Sequence, residues 1–308
     1  MAMGTEDQAR LAAWKRAGGG IGEALAGRLG WEAARTAYAD ALAQLFPPPD
    51  GVSFAAVEMG GVPAVVAEPA GIRDGRTLLF LHGGGYASGS ARSYRGLAGW
   101  YARRLGARVF VPDYRLAPEH RFPAAIDDCA AAYRWLLERD HDPKRLAVSG
   151  DSAGGAMVVT VMRRARDAGL PQPVAGVAIS PWTNLRHDGE SMRDRDGLDP
   201  LCDAAFLHAL ARNFLGTALP TDPDASPVFA DVRGLHPVLV QIGENEVMLD
   251  DAIRLAAHLG KHRVRSSLEV WPGMFHVWHK FAGSMPDADR ALDSAVCFIE
   301  QAMAAAAG

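Results

Sequence analysis

Hydrophobic and polar positions divide the chain into two regimes. Residues 6–46 carry apolar side chains at helical spacing with few strand formers, and Pro47-Pro48-Pro49-Asp50-Gly51 ends that regime, because proline lacks an N–H and fixes φ. Beyond it, residues 52–58 and 62–68 alternate around Gly60-Gly61, which predicts a hairpin. Six short apolar runs follow, at 77–81, 108–111, 146–149, 174–179, 238–242 and 267–270, interleaved with helical patterns at about 91–104, 123–139, 153–168, 250–260 and 286–304. Wholly apolar strands alternating with helices are what a parallel sheet covered on both faces requires. The pattern therefore predicts an α/β fold whose eight-stranded, mostly parallel sheet is flanked by helices. Residues 183–230 interrupt the rhythm with a polar excursion containing Pro200, Pro220, Pro223 and Pro227, and long excursions at strand ends tend to carry function. The expected organisation is cap helices at 1–46, the first part of the α/β domain at 47–182, a cap insertion at 183–228 and the second part at 229–308.

Composition narrows the function. Among 308 residues, 32 Lys+Arg against 36 Asp+Glu give a net charge of −4 with no basic run, which argues against a nucleic-acid or membrane-surface partner. The longest apolar stretch, residues 153–162, is too short to span a bilayer, which takes about 18 residues or more. The N-terminal MAMGTEDQARLAAWKRAGGG has early charges and no continuous apolar core, unlike a secretory signal. Cys129, Cys202 and Cys297 are odd in number and widely spaced, so they read as reduced thiols rather than disulfides or metal ligands. A cytoplasmic location is expected.

The chemistry concentrates at two strand ends. Gly150-Asp151-Ser152-Ala153-Gly154 is a G-x-S-x-G between an apolar run and a helical pattern, the context in which a sharp turn lifts a serine hydroxyl above a sheet edge as a nucleophile. The helix start behind it offers unpaired N–H groups and a positive dipole end, and the N–H of Ala153 follows the nucleophile as an oxyanion donor should. The run at 77–81 leads into His82-Gly83-Gly84-Gly85, whose glycines let backbone donors approach an oxyanion. His82 precedes those donors and reads as a loop brace. A serine nucleophile needs a base and an orienting carboxylate, in the chain order serine, acid, histidine for this motif. After the last strand, Trp271-Pro272-Gly273-Met274-Phe275-His276 presents His276 as the base, ahead of His279. The loop after the preceding strand offers Glu244, Glu246, Asp250 and Asp251 as acids; the two aspartates sit where a helix begins and read as caps.

These segments resemble the hormone-sensitive-lipase-like family of bacterial esterases within the α/β-hydrolase fold. The resemblance runs through HGGGY at 82–86, DYRLAPEHRFPAA at 113–125, GDSAGG at 150–155, SPWTNL at 180–185, GENEVMLDD at 243–251 and WPGMFHVW at 271–278. It implies hydrolysis of short- to medium-chain carboxylic esters beneath a helical cap, with no metal or organic cofactor. By position it implies Ser152 as nucleophile, His276 as base, and the N–H groups of Gly83, Gly84 and Ala153 as oxyanion donors. The family acid is an aspartate in G-x-x-D-x-L; here Gly243-x-x-Glu246-x-Met248 puts Glu246 in its place. The wording SPWT, GES and E-V-x-L-D-D resembles monoterpene ε-lactone hydrolases in particular. Family members are often dimers through the last strand and helix, so a homodimer is an expectation here.

Other features are expected to serve the scaffold. Tyr114, Arg115 and Glu119 read as a hydrogen-bonded support beneath the glycine loop, Asp151 as structural, and His258 and His262 as ordinary residues at a helix end rather than a metal pair. Tyr86, Trp182 and Phe275 are the expected substrate-binding aromatics, with Trp14, Trp31, Tyr38, Phe206 and Phe214 as further wall candidates that core packing would equally explain. An amidase or deacetylase would use the same serine, carboxylate and histidine. A non-catalytic small-molecule-binding protein on the same scaffold would typically have lost one of them.

Overall fold

The computed structural model describes residues 3–73 and 75–308. The N-terminal segment forms α1 (Thr5–Leu25) and α2 (Trp31–Leu45). Where the spacing predicts one helical region, Gly27 at φ 71° and the extended Gly30 break it in two. The hairpin is β1 (Val52–Met59) and β2 (Val62–Pro69), turning through Gly60 and Gly61 at φ 64° and 89°, a conformation that only glycine adopts cheaply.

The alternating units follow as β3 (Thr77–Leu81), α3 (Arg95–Leu105), β4 (Arg108–Pro112), α4 (Ala124–Glu138), β5 (Leu146–Asp151), α5 (Ala153–Asp167) and β6 (Gly176–Ile179). The insertion contributes α6 (Ser191–Asp194) and α7 (Ala204–Leu215), and the chain closes with β7 (Val238–Gly243), α8 (Leu249–Lys261), β8 (Ser266–Trp271) and α9 (Pro286–Ala307). Helix α3 starts later than its pattern predicts. The hydroxyls of Ser90 and Ser93 each accept the other residue's backbone N–H, a local arrangement that competes with helix.

The eight strands form one sheet in the order β1-β2-β4-β3-β5-β6-β7-β8, in which β2 is antiparallel to both neighbours and β4 through β8 run parallel. Strands β3, β5 and β7 are buried throughout, as continuous apolar runs demand. Helices α3 and α9 pack together on one face and α4 with α5 on the other. Helix α1 packs against both α2 and α7, so the N-terminal segment and the insertion meet although far apart in sequence. Among the described residues no helix is long and apolar enough to cross a membrane.

The topology sets the functional edge. Leu81 at the end of β3 pairs with Gly150 of β5, and Gly243 of β7 with Trp271 of β8. The glycine loop thus lies beside the serine turn, and the loop after β7 beside the loop that carries His276.

Candidate active site

Ser152 joins β5 to α5 at φ 55°, ψ −119°. A non-glycine residue there stores about 1–3 kcal/mol of strain. The flanking glycines are steric necessities. A Cβ on Gly154 would collide with the Leu81 carbonyl oxygen, and one on Gly150 would lie 2.5 Å from the Gly154 carbonyl oxygen. The turn is pinned by the Ser152 N–H donating to the Ile179 carbonyl at 2.9 Å and by the Trp182 N–H donating to the Ser152 carbonyl at 3.0 Å.

The expected oxyanion donors divide. The N–H of Gly83 is already committed, donating both to Asp151 Oδ1 and to Tyr94 Oη at 3.0 Å. This corrects the expectation for Gly83, since a donor satisfied within the protein has no hydrogen left for an oxyanion. Among the described residues, the N–H groups of Gly84, Gly85 and Ala153 donate to no protein acceptor. Gly84 sits at φ 120° and Gly85 at φ 61°, and side chains there would meet the Ser88 backbone and Leu210 of α7. Asp151 acts as a strut: its other oxygen accepts the Tyr94 hydroxyl at 2.7 Å. Burial raises its carboxyl pKa, against the opposing charge of Lys280.

His276 follows β8 and donates from Nδ1 to Glu246 Oε2 at 2.8 Å. Glu246 is fully buried, and its second oxygen accepts the Ser180 hydroxyl and the Gly243 N–H, each at 2.7 Å. The other acid candidates turn elsewhere. Glu244 accepts the Gly273 N–H, Asp250 the Ser191 N–H, and Asp251 the N–H groups of Thr183 and Asn184. Burial alone would depress the His276 pKa, but Cys202 and Glu246 outweigh it and raise the ring well above the ordinary histidine range. His279 instead bonds Gln241 Oε1 at 3.0 Å, and burial lowers it to about 3. His82 is likewise pushed down to about 4 by burial. It stacks on Tyr114 with ring centroids 4.1 Å apart and bonds its neighbour's carbonyl.

A cavity of about 500 Å³ opens over Ser152, His276, Gly84 and Gly85. Trp14, Gly18, Gly19 and Gly22 of α1, Tyr38 of α2, Phe206, Leu207 and Leu210 of α7, and the loop 197–203 enclose it. Tyr86, Trp182 and Phe275 do not line it. Tyr86 stacks on Phe214 at 3.7 Å, the Trp182 indole donates to His187 Nε2, and Phe275 packs edge-on against Phe281. Of the cap aromatics Trp14, Tyr38 and Phe206 reach the cavity, whereas Trp31 and Phe214 do not.

This geometry can be set against known proteins. The sequence model of the family described as alpha/beta hydrolase fold matches residues 78–280. The chain belongs to that family. The hydrolase is 41% identical over 281 residues to an acetyl-hydrolase of Streptomyces hygroscopicus, covering 91% of each chain. It is 34% identical to an ethyl acetate hydrolase of Pseudomonas putida, covering 74% of this chain and 73% of that one. A crystal structure of an esterase from the bacterial hormone-sensitive lipase family superposes with a TM-score of 0.90 at 38% identity, covering 98% of this chain and 100% of that one. The hydrolase is therefore a carboxylic ester hydrolase of the hormone-sensitive-lipase-like type.

The supporting residues of the hydrolase are engaged as scaffold. Arg115 forks onto Asp128, with its NH2 group 2.8 Å from Oδ1, and Glu119 pairs with Arg35 of α2 at 2.6 Å. Tyr114 donates to the His82 carbonyl at 2.7 Å. His258 and His262 bond the backbone carbonyls of Ala230 and His258. Asp199, in the loop before α7, was not among the residues singled out from the sequence, yet it lines the cavity and accepts the His276 N–H. Its only sequence signal is an Asp-Pro pair within the polar insertion.

Proposed function

We propose that the protein is a serine carboxylesterase that cleaves short- to medium-chain esters through an acyl-enzyme. His276 takes the proton of Ser152 as the hydroxyl attacks the ester carbonyl, and the buried Glu246 carboxylate holds and stabilises the resulting imidazolium. The N–H groups of Gly84, Gly85 and Ala153 receive the oxyanion. The alcohol leaves with the proton from His276, and water then releases the acid by the same route. The observation that carries this reading is the 2.8 Å Glu246–His276 contact beside a strained serine at the floor of one cavity. The volume of about 500 Å³ supports small to medium esters. A lactone is a cyclic ester that the same attack opens, so monoterpene-type ε-lactones belong among the substrates to be tried.

Hydrolysis of 4-nitrophenyl acetate, butyrate, octanoate and laurate tests the reading. Activity should peak at the short chains, and Ser152→Ala should lower it on the order of 10⁵-fold or more. A variant that keeps near-native turnover would overturn the assignment. We further propose that a second copy of the chain covers the free side of β8, where Leu268 and Val270 lie exposed on an edge strand, a surface that invites pairing.

A further inference from the structure

We propose that Asp199 is a positioning residue for the base: from the cap, its carboxylate grips the backbone of His276 and keeps the imidazole in working position only while the cap is seated. This rests on the reading of His276 as the base. Asp199 belongs to the insertion, between α6 and α7, and its side chain is buried. Oδ2 accepts the His276 N–H at 2.8 Å, while Oδ1 accepts the N–H of Leu201 at 2.8 Å and of Cys202 at 3.3 Å. One carboxylate thus ties three backbone donors, two from its own loop and one from the loop that carries the base.

The start of the His276 loop is held by the β7 loop, with the Gly273 N–H donating to Glu244 and the Asn245 N–H to the Met274 carbonyl. It leaves β8 through Gly273 at φ 72° and continues into Val277 at φ 53°. The Val277 N–H donates to Ser180 Oγ at 3.1 Å, the hydroxyl that also serves Glu246. The ring is therefore fixed from below by the acid and its backbone from above by Asp199. A displacement of about 1 Å in such a group costs roughly 100-fold in rate.

The carboxylate also acts through its charge. The groups facing it are His276 and Glu246 from the loops after β8 and β7, and Cys202 from its own loop. Burial pushes the Asp199 carboxyl up to about 6, against the charge of His276, while its three N–H donors favour the ionised form. A negative charge beside the imidazole favours the imidazolium, so removing it should lower the pKa of the base.

Asp199→Asn separates these effects from simple packing, because it keeps the volume but replaces one acceptor oxygen with a donor amide. The amide can face the His276 N–H or the Leu201 and Cys202 N–H groups, and either choice sets donor against donor. The experiment compares kcat, KM and the pH profile of kcat/KM on 4-nitrophenyl acetate and butyrate for wild type, Asp199→Asn and Ser152→Ala. Turnover of wild type and Asp199→Asn is normalised to sites titrated with an organophosphonate, that of Ser152→Ala to protein concentration, and melting temperature is recorded alongside. The expected result is a 10- to 100-fold fall in kcat per titrated site, KM within about threefold, and an acid limb displaced to lower pH. An unchanged kcat per site, or an acid limb that does not move, overturns the proposal. An inert wild type, or an active Ser152→Ala, would instead overturn the serine-esterase reading on which it stands.

Discussion

At the scale of single residues, Glu246, the proposed acid, departs from the family pattern by one methylene, and its hydrogen bonds accommodate that length. Glu246 spends one oxygen on the Ser180 hydroxyl and the Gly243 N–H, leaving the other free to meet His276. Because Glu246 and Cys202 raise the base above its ordinary range despite burial, and the base must be neutral to accept a proton, kcat/KM should rise with pH through a midpoint above the histidine value of about 6.5. Glu246→Gln removes part of that support, so its midpoint should fall to lower pH while kcat drops on the order of 10⁴-fold. A pH–rate profile of both proteins checks the two effects together, and a midpoint at or below 6.5 in the wild type would contradict the first. That Ser152 and His276 share one cavity was readable, because motif and strand context coincide at both positions. The donor set was not, since nothing in His82-Gly83-Gly84-Gly85 tells which N–H is taken by Asp151, a residue 68 positions away. Asp199 escaped for the same reason: its partner His276 lies 77 positions along the chain.

Among the described helices, α1 has the most glycines. It carries Gly18, Gly19, Gly20 and Gly22 in its interior, and each glycine disfavours helix by about 0.8–1.0 kcal/mol relative to alanine. None of these positions requires glycine for packing: a Cβ meets nothing within 4 Å at Gly18, Gly19 and Gly22, and only ordinary contact with Leu29 at Gly20. Replacing Gly19 and Gly20 together by alanine should slow amide exchange in α1 by roughly an order of magnitude or more if local opening governs it. Exchange no slower than in the wild type would show that opening of this helix is not limited by its backbone. The strands were far more legible than the cap, because a buried parallel strand writes its environment as an unbroken apolar run. Pocket walls leave no such mark. Tyr86, Trp182 and Phe275 adjoin the catalytic motifs in sequence but pack behind them, whereas Leu210 reaches the glycine loop from α7.

Across the whole molecule, the sheet ends in two unequal edges. Among the described residues strand β8 pairs only with β7 and leaves Leu268 and Val270 38% and 43% exposed, with Ile253 of neighbouring α8 also exposed. If a second copy covers this edge, the 32.8 kDa chain should sediment as a dimer and Val270→Lys should shift it to the monomer; sedimentation velocity of both decides, and a wild-type monomer at micromolar concentration would remove the proposal. The opposite end of the site has a different lesson. Asp151 is bonded to the N–H of Gly83 and is the immediate neighbour of Ser152, so one short tether joins the glycine loop to the serine turn. Because Gly84 and Gly85 follow Gly83 directly, that tether opposes separation of the proposed oxyanion donors from the proposed nucleophile when either strand end shifts.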